Sequence, residues 1–161
     1  MDDAADYAAW QDKVRGVNIS AKSLLATDYL NHFNEIIMLL GMVPDMPDII
    51  EECRTWQPKG YKDHFRDSGF RDKELAIEAY DHVPHRFKVP FEETVDQMNR
   101  VVESAISKID TATSDGDTLT ASFKAETASR LLQHLLDVAS AIIHGSDVTM
   151  SQADIDAFMR E

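Results

Sequence analysis

The sequence predicts an all-α fold, a helical bundle built on a long antiparallel helix hairpin (residues 91–110 and 118–144). Three observations carry this. Phe91, Val95, Met98, Val102, Ala105 and Ile109 step 4-3-4-3-4, and Ala128, Leu131, Leu135, Val138 and Ile142 return at the same spacing. No stretch alternates apolar and polar residues between turn signals, so nothing reads as a strand. A period of this kind implies left-handed, coiled-coil-like packing at about 20°.

Residues 1–20 carry acids and Tyr7, Trp10, Val14 and Val17 at spacings of three and four, an arm or short helix ahead of the body. A long helix is expected over 21–41, because Ala26, Leu30, Phe33, Ile37 and Leu40 form a stripe widened by Leu25, Tyr29 and Ile36, with Gly41 as its stop. Pro44 and Pro47 frame a turn, and Pro47 opens a short helix reaching Trp56 before Pro58 and Gly60 break it. The aromatic and charged stretch Tyr61 to Pro90 fits two short helices split at Ser68-Gly69, the second capped by Asp72 and lined by Leu75, Ala76 and Ala79. The Ser-, Thr-, Asp- and Gly-rich residues 111–118 turn the hairpin. After Gly145, residues 146–161 form a separate docking helix on the body 21–145. Ser151 caps that helix, with Asp154 three residues on. The hairpin seam is long for a monomer, which predicts a homodimer.

With 161 residues, 43% hydrophobic and 28% charged, the chain has material for one domain with a core. Its formal net charge of −13 and pI near 4.7 repel phosphate backbones and anionic membrane surfaces, so neither nucleic acid nor a membrane is an expected partner. No run of 18 apolar residues is present, and the opening residues lack a basic and apolar leader pattern, so a cytoplasmic location is expected. Cys53 is the one cysteine, excluding an internal disulfide or a thiolate zinc cluster. Glu51 and Glu52 beside it disfavour a reactive thiolate.

The chemistry legible in the residues is sparse. Asp28, His32 and Glu35 at i, i+4 and i+7, and Glu78 with His82, have the spacing to gather a metal or small ligand on a helix face. They equally suit a solvated polar edge. The paired Glu-x-x-His of carboxylate metal bundles, the Gly-x-Ser-x-Gly elbow and a Gly-rich phosphate loop are all missing. Acid–amide pairs on one helix face can orient water for attack on a phosphoryl group held by another protein. Glu93 with Gln97, Asp96 with Asn99, and Asp28 with Asn31 have that spacing.

The tail says more. Ile155, Phe158 and Met159 fall on one apolar edge, with Gln152, Asp154 and Asp156 directed elsewhere. Met150-Ser-Gln-Ala-Asp-Ile-Asp-Ala-Phe-Met159 resembles the peptide with which flagellar motor switch proteins bind the phosphorylated chemotaxis response regulator, of the form Leu-Ser-Gln-x-Glu/Asp-Ile-Asp-x-Leu-Leu. Ser151, Gln152, Ile155, Asp156 and Ala157 match as they stand, Asp154 is the acidic alternative, and Met150, Phe158 and Met159 replace leucines. That peptide opens its chain, whereas this one lies at the other end. A helical hairpin followed by a short acidic amphipathic helix also looks like the chemotaxis phosphatase of the CheZ type. The Asp-x-x-x-Gln of that family is replaced by Glu93-Thr-Val-Asp-Gln97. The resemblance implies a receiver-domain partner bound through Ser151, Gln152, Asp154, Ile155, Asp156, Phe158 and Met159. It implies no cofactor of the chain's own, since Mg²⁺ would belong to the receiver, and as an extension Glu93, Asp96, Gln97 or Asn99, chosen by their helix spacing, would act on the receiver's phosphoaspartate. The alternatives are a tail helix that packs back on its own bundle, a metal- or ligand-binding bundle, and an adaptor with another partner.

Overall fold

A computed structural model describes residues 3–146 and 148–160. Its helices are α1 (Asp3–Lys13), α2 (Asn31–Met42), α3 (Ile50–Thr55), α4 (Tyr61–Arg66), α5 (Lys73–Tyr80), α6 (His85–Ser114), α7 (Thr118–Ile143) and α8 (Gln152–Arg160), with 3-10 turns at Thr27–Leu30 and Pro47–Ile49. Among the described residues there is no strand, and the fold is an all-α bundle. No helix is long and apolar enough to cross a membrane.

The hairpin α6–α7 is the spine. Its seam buries Phe91, Met98, Val102, Ala105 and Ile109 against Ala128, Leu131, Leu135 and Ile142, each at 1% exposure or less except Val102 at 3%. Burying side chains of this size contributes about 1.5–3 kcal/mol each, so the seam dominates the fold. Both helices end alike. At the turn, Gly116 has φ +73, its N–H bonds the Thr113 carbonyl, and the Asp117 N–H bonds the Ala112 carbonyl at 2.8 Å. At the far end Gly145, φ +116, donates to Ile142 and Ser146 to Ala141. In each, a left-handed residue lets two amides reach back to carbonyls the helix leaves open, which a glycine does without a Cβ penalty. Asp117 then caps α7 by accepting from the Thr120 amide at 3.0 Å.

Several sequence expectations shift. The long helix at 21–41 is shorter: it starts at Asn31 after the 3-10 turn, and residues 21–26 are not helical. Leu24, Leu25 and Ala26 are all buried, at 0%, 0% and 1% exposure, and three successive residues cannot share a helix stripe. Instead Leu24 takes φ +68 and the Ser20 amide bonds the Leu25 carbonyl at 2.9 Å. Ser23 Oγ donates to the Ile143 carbonyl at 2.5 Å and accepts from the Leu25 amide at 3.1 Å, a side-chain competitor to the helix ladder. Gly41 does not stop α2. The helix runs on through Met42, and a Cβ at Gly41 would lie 3.3 Å from Ser129 Oγ, so the glycine serves the close approach of α2 to α7.

The hairpin's first arm begins at His85 rather than Phe91 and passes through Pro90, losing one rung while burying the ring. Its other end continues through residues 111–114, so the turn is Asp115 to Asp117. Asp72 precedes α5 as expected, but its side chain makes no capping bond. The N-terminal residues read as an arm are tied down. Trp10, Val14 and Ile19 join the core, Asp6 accepts from His82 at 2.7 Å, and Trp10 stacks on that imidazole at 4.4 Å. The seam that suggested a second copy is covered within the chain, by α2 and α8 on α7 and by α3 on α6.

Candidate functional site

The tail resemblance directs attention to α8. Ser151 Oγ accepts the Asp154 amide at 3.1 Å and the Ser151 carbonyl accepts from Ile155, so the helix starts where the cap predicts. Gln152 Nε2 donates to Asp156 Oδ1 at 2.9 Å, linking two residues one turn apart on the outer face. Gln152, Ala153, Asp154, Asp156 and Ala157 are exposed, and Ile155 is 4% exposed. Phe158 and Met159 are half-buried, and the Phe158 ring lies 6.4 Å from His134 on α7. The seven tail residues therefore form one helix whose apolar edge rests on its own hairpin.

The helix packs mainly on α7, and α6 adds a bond to the segment just ahead of it. Gln97 Nε2 donates to the Met150 carbonyl at 3.1 Å, just before the cap. Between α6 and α8 lies a cavity of about 340 Å³ walled by Gln97, Val101, Ser104, Ile155 and Met159, with Arg100 and Lys108 at its edge beside Asp156. Gln97 is 4% exposed, and its Oε1 is buried with no hydrogen-bond partner among the described residues. An unpaired buried acceptor of this kind costs about 1–3 kcal/mol. The contact between α8 and the hairpin is thus incompletely packed and incompletely bonded.

The three acid–amide pairs differ in what surrounds them. Glu93 and Asp96 are exposed, and Asp96 pairs loosely with Arg100 at 3.5 Å. Gln97 faces the tail, whereas Asp96 and Asn99 line a separate hollow of about 170 Å³ against Tyr29, Tyr61 and Phe91. Asn99 Oδ1 is buried there without a hydrogen-bond partner among the described residues. Glu93 and Gln97 consequently form no open pair, because Met150 closes over the amide. Asn31 Nδ2 donates to Asp28 Oδ1 at 3.3 Å on the surface.

The metal-spaced residues are also separated. Asp28 meets His64 at 3.0 Å. His32 bonds the Gln57 carbonyl at 2.7 Å and stacks on Trp56 at 4.6 Å, while Glu35 and Glu78 are exposed and His82 bonds Asp6. Burial lowers the His32 pKa, against the opposing pull of the Gln57 carbonyl. Among the described residues no three His, Cys, Asp or Glu side chains converge. Cys53 is buried, and desolvation pushes its thiol up to about 11.

The sequence reading missed the seat. Thr94, Gln97, Val101, Ser104 and Lys108 repeat at 3-4-3-4 beside the main seam, a second stripe disguised by its polar members. No protein family, curated protein or solved structure matches the chain.

Proposed function

We propose that the chain is a cytoplasmic helical regulator in chemotaxis or two-component signalling, which binds a receiver domain by laying Ile155, Phe158 and Met159 of α8 into an apolar groove on that partner. One observation carries the reading. The residues that match the response-regulator-binding peptide form a capped helix with Gln152, Asp154 and Asp156 open to solvent, its apolar edge of buried Ile155 and half-buried Phe158 and Met159 resting on the body. The acids would set register and association rate more than affinity. Mg²⁺ enters only through the receiver. Dephosphorylation is an optional addition that would rest on Asp96 and Asn99, which line one hollow together, since Gln97 is engaged by the Met150 carbonyl.

The test is titration of the full chain against a receiver domain, unphosphorylated and activated with beryllofluoride. Binding should favour the activated form and drop at least tenfold in Ile155→Asp. Equal binding by that variant would refute the reading.

A further inference from the structure

Ile155 is required in two places. In the folded chain it is buried against the hairpin, and in receiver docking it is the middle anchor of the apolar edge. One helix face serves one partner at a time. Resting on the docking reading, we propose that α8 is a displaceable strap: seated on α6 and α7 it withholds its own binding edge, and lifting it frees that edge and uncovers Gln97.

The seat has the properties of a contact made to open. A hollow of about 340 Å³ separates α6 from α8, and Gln97 Oε1 has no hydrogen-bond partner among the described residues. The strap is nine residues long, too short to persist as a helix without something to lie on. Gly145, at φ +116, ends α7 ahead of it, and residues 148–151 are non-helical, so α8 can swing away without disturbing the hairpin. Arg100 and Lys108 line the same cavity as Asp156 in a chain of net charge −13, with Arg100 also 3.5 Å from Asp96. Affinity for a partner is then reduced by the fraction of chains with the strap down.

Hydrogen exchange and receiver titration on full-length chains test this together. In R100E/K108E both altered side chains are exposed, and far-UV helicity and the melting curve verify the bundle. The amides of α8 should exchange at least tenfold faster than in the native chain, those at the centre of α6 and α7 should not change, and affinity for a beryllofluoride-activated receiver domain should rise correspondingly. Val101→Asp, which sets a carboxylate under Ile155, should do the same. Protection of α8 that survives both substitutions makes it a fixed part of the bundle and overturns the strap. So does native α8 exchanging as fast as in Ile155→Asp, or an open strap with unchanged affinity. A receiver that binds neither the native nor the opened chain overturns the docking reading, and the inference with it. The exchange data tell that failure apart from the others.

Discussion

Replacing Tyr61 by phenylalanine isolates the bond that holds the non-helical turn before α2. The Tyr61 hydroxyl accepts the Ala26 amide at 2.8 Å, with Ala26 1% and Tyr61 5% exposed. Removing one oxygen leaves the ring packed and the Ala26 N–H buried without an acceptor, which costs about 1–3 kcal/mol. Tyr29→Phe is the internal control. Its ring is equally buried, but its hydroxyl donates, at 2.7 Å, to the Lys59 carbonyl in a half-buried loop where water can take over. That loss should be the ordinary net value of about 0.5–1.5 kcal/mol. Urea denaturation of both variants, followed by far-UV circular dichroism, gives the two free energies with a check on the slope. For a chain of this size each kcal/mol moves the melting midpoint by about 2–4 °C. A Tyr29→Phe loss equal to or larger than that of Tyr61→Phe would refute the assignment of the Ala26 amide as the anchored group.

His32 binds a proton less readily folded than unfolded, because burial lowers its pKa. Its contribution to stability is present above the unfolded value of about 6.5 and is lost as pH falls below it; denaturation at several pH values should show a shallower acid-side decline in His32→Phe. Gly116→Ala should cost about 1–2 kcal/mol from its left-handed φ of +73 alone. Gly145→Ala should cost more, since φ is +116 and the new Cβ lies 3.0 Å from Lys22 Cδ; thermal melts rank the two. Cys53, whose thiol is raised to about 11 by burial, should resist a thiol-reactive dye in the native chain and label about a hundredfold faster in denaturant.

The hairpin was legible because its apolar stripe persists over several turns, and a periodic signal of that length is not reproduced by a loop. The caps were legible too: Ser151 and Gly145 act through their own local backbone, so neighbouring residues suffice to read them. The turn at residues 21–26 was not, since Leu24, Leu25 and Ala26 fit a helical stripe as well as they fit a segment enclosed on every side by Tyr61, Ser23 and the end of α7. Pro90 misled for a related reason. A proline argues for a boundary, yet here the packing of Phe87 and Phe91 on both sides of it outweighs one missing rung. At the candidate site, periodicity told which edge of α8 is apolar but not what that edge rests on. The seat is written in Gln97, Ser104 and Lys108, residue types that ordinarily signify solvent. The imidazole ties of His32, His64 and His82 reach 25, 36 and 76 residues along the chain, beyond any local pattern.

The bond from Ser23 to the Ile143 carbonyl spans 120 residues, and this sets the order in which the protein is completed. The hairpin closes across a tight turn and gathers its contacts locally, so it forms readily once both arms exist. The turn at Leu24–Leu25–Ala26 is bonded by Tyr61 but is not fully enclosed until the end of α7 has been synthesised. At about 5–20 residues per second that interval is roughly ten seconds, during which three adjoining apolar residues near the start of the chain remain uncovered. This segment therefore gives a nascent-chain chaperone time to act before the end of α7 reaches it.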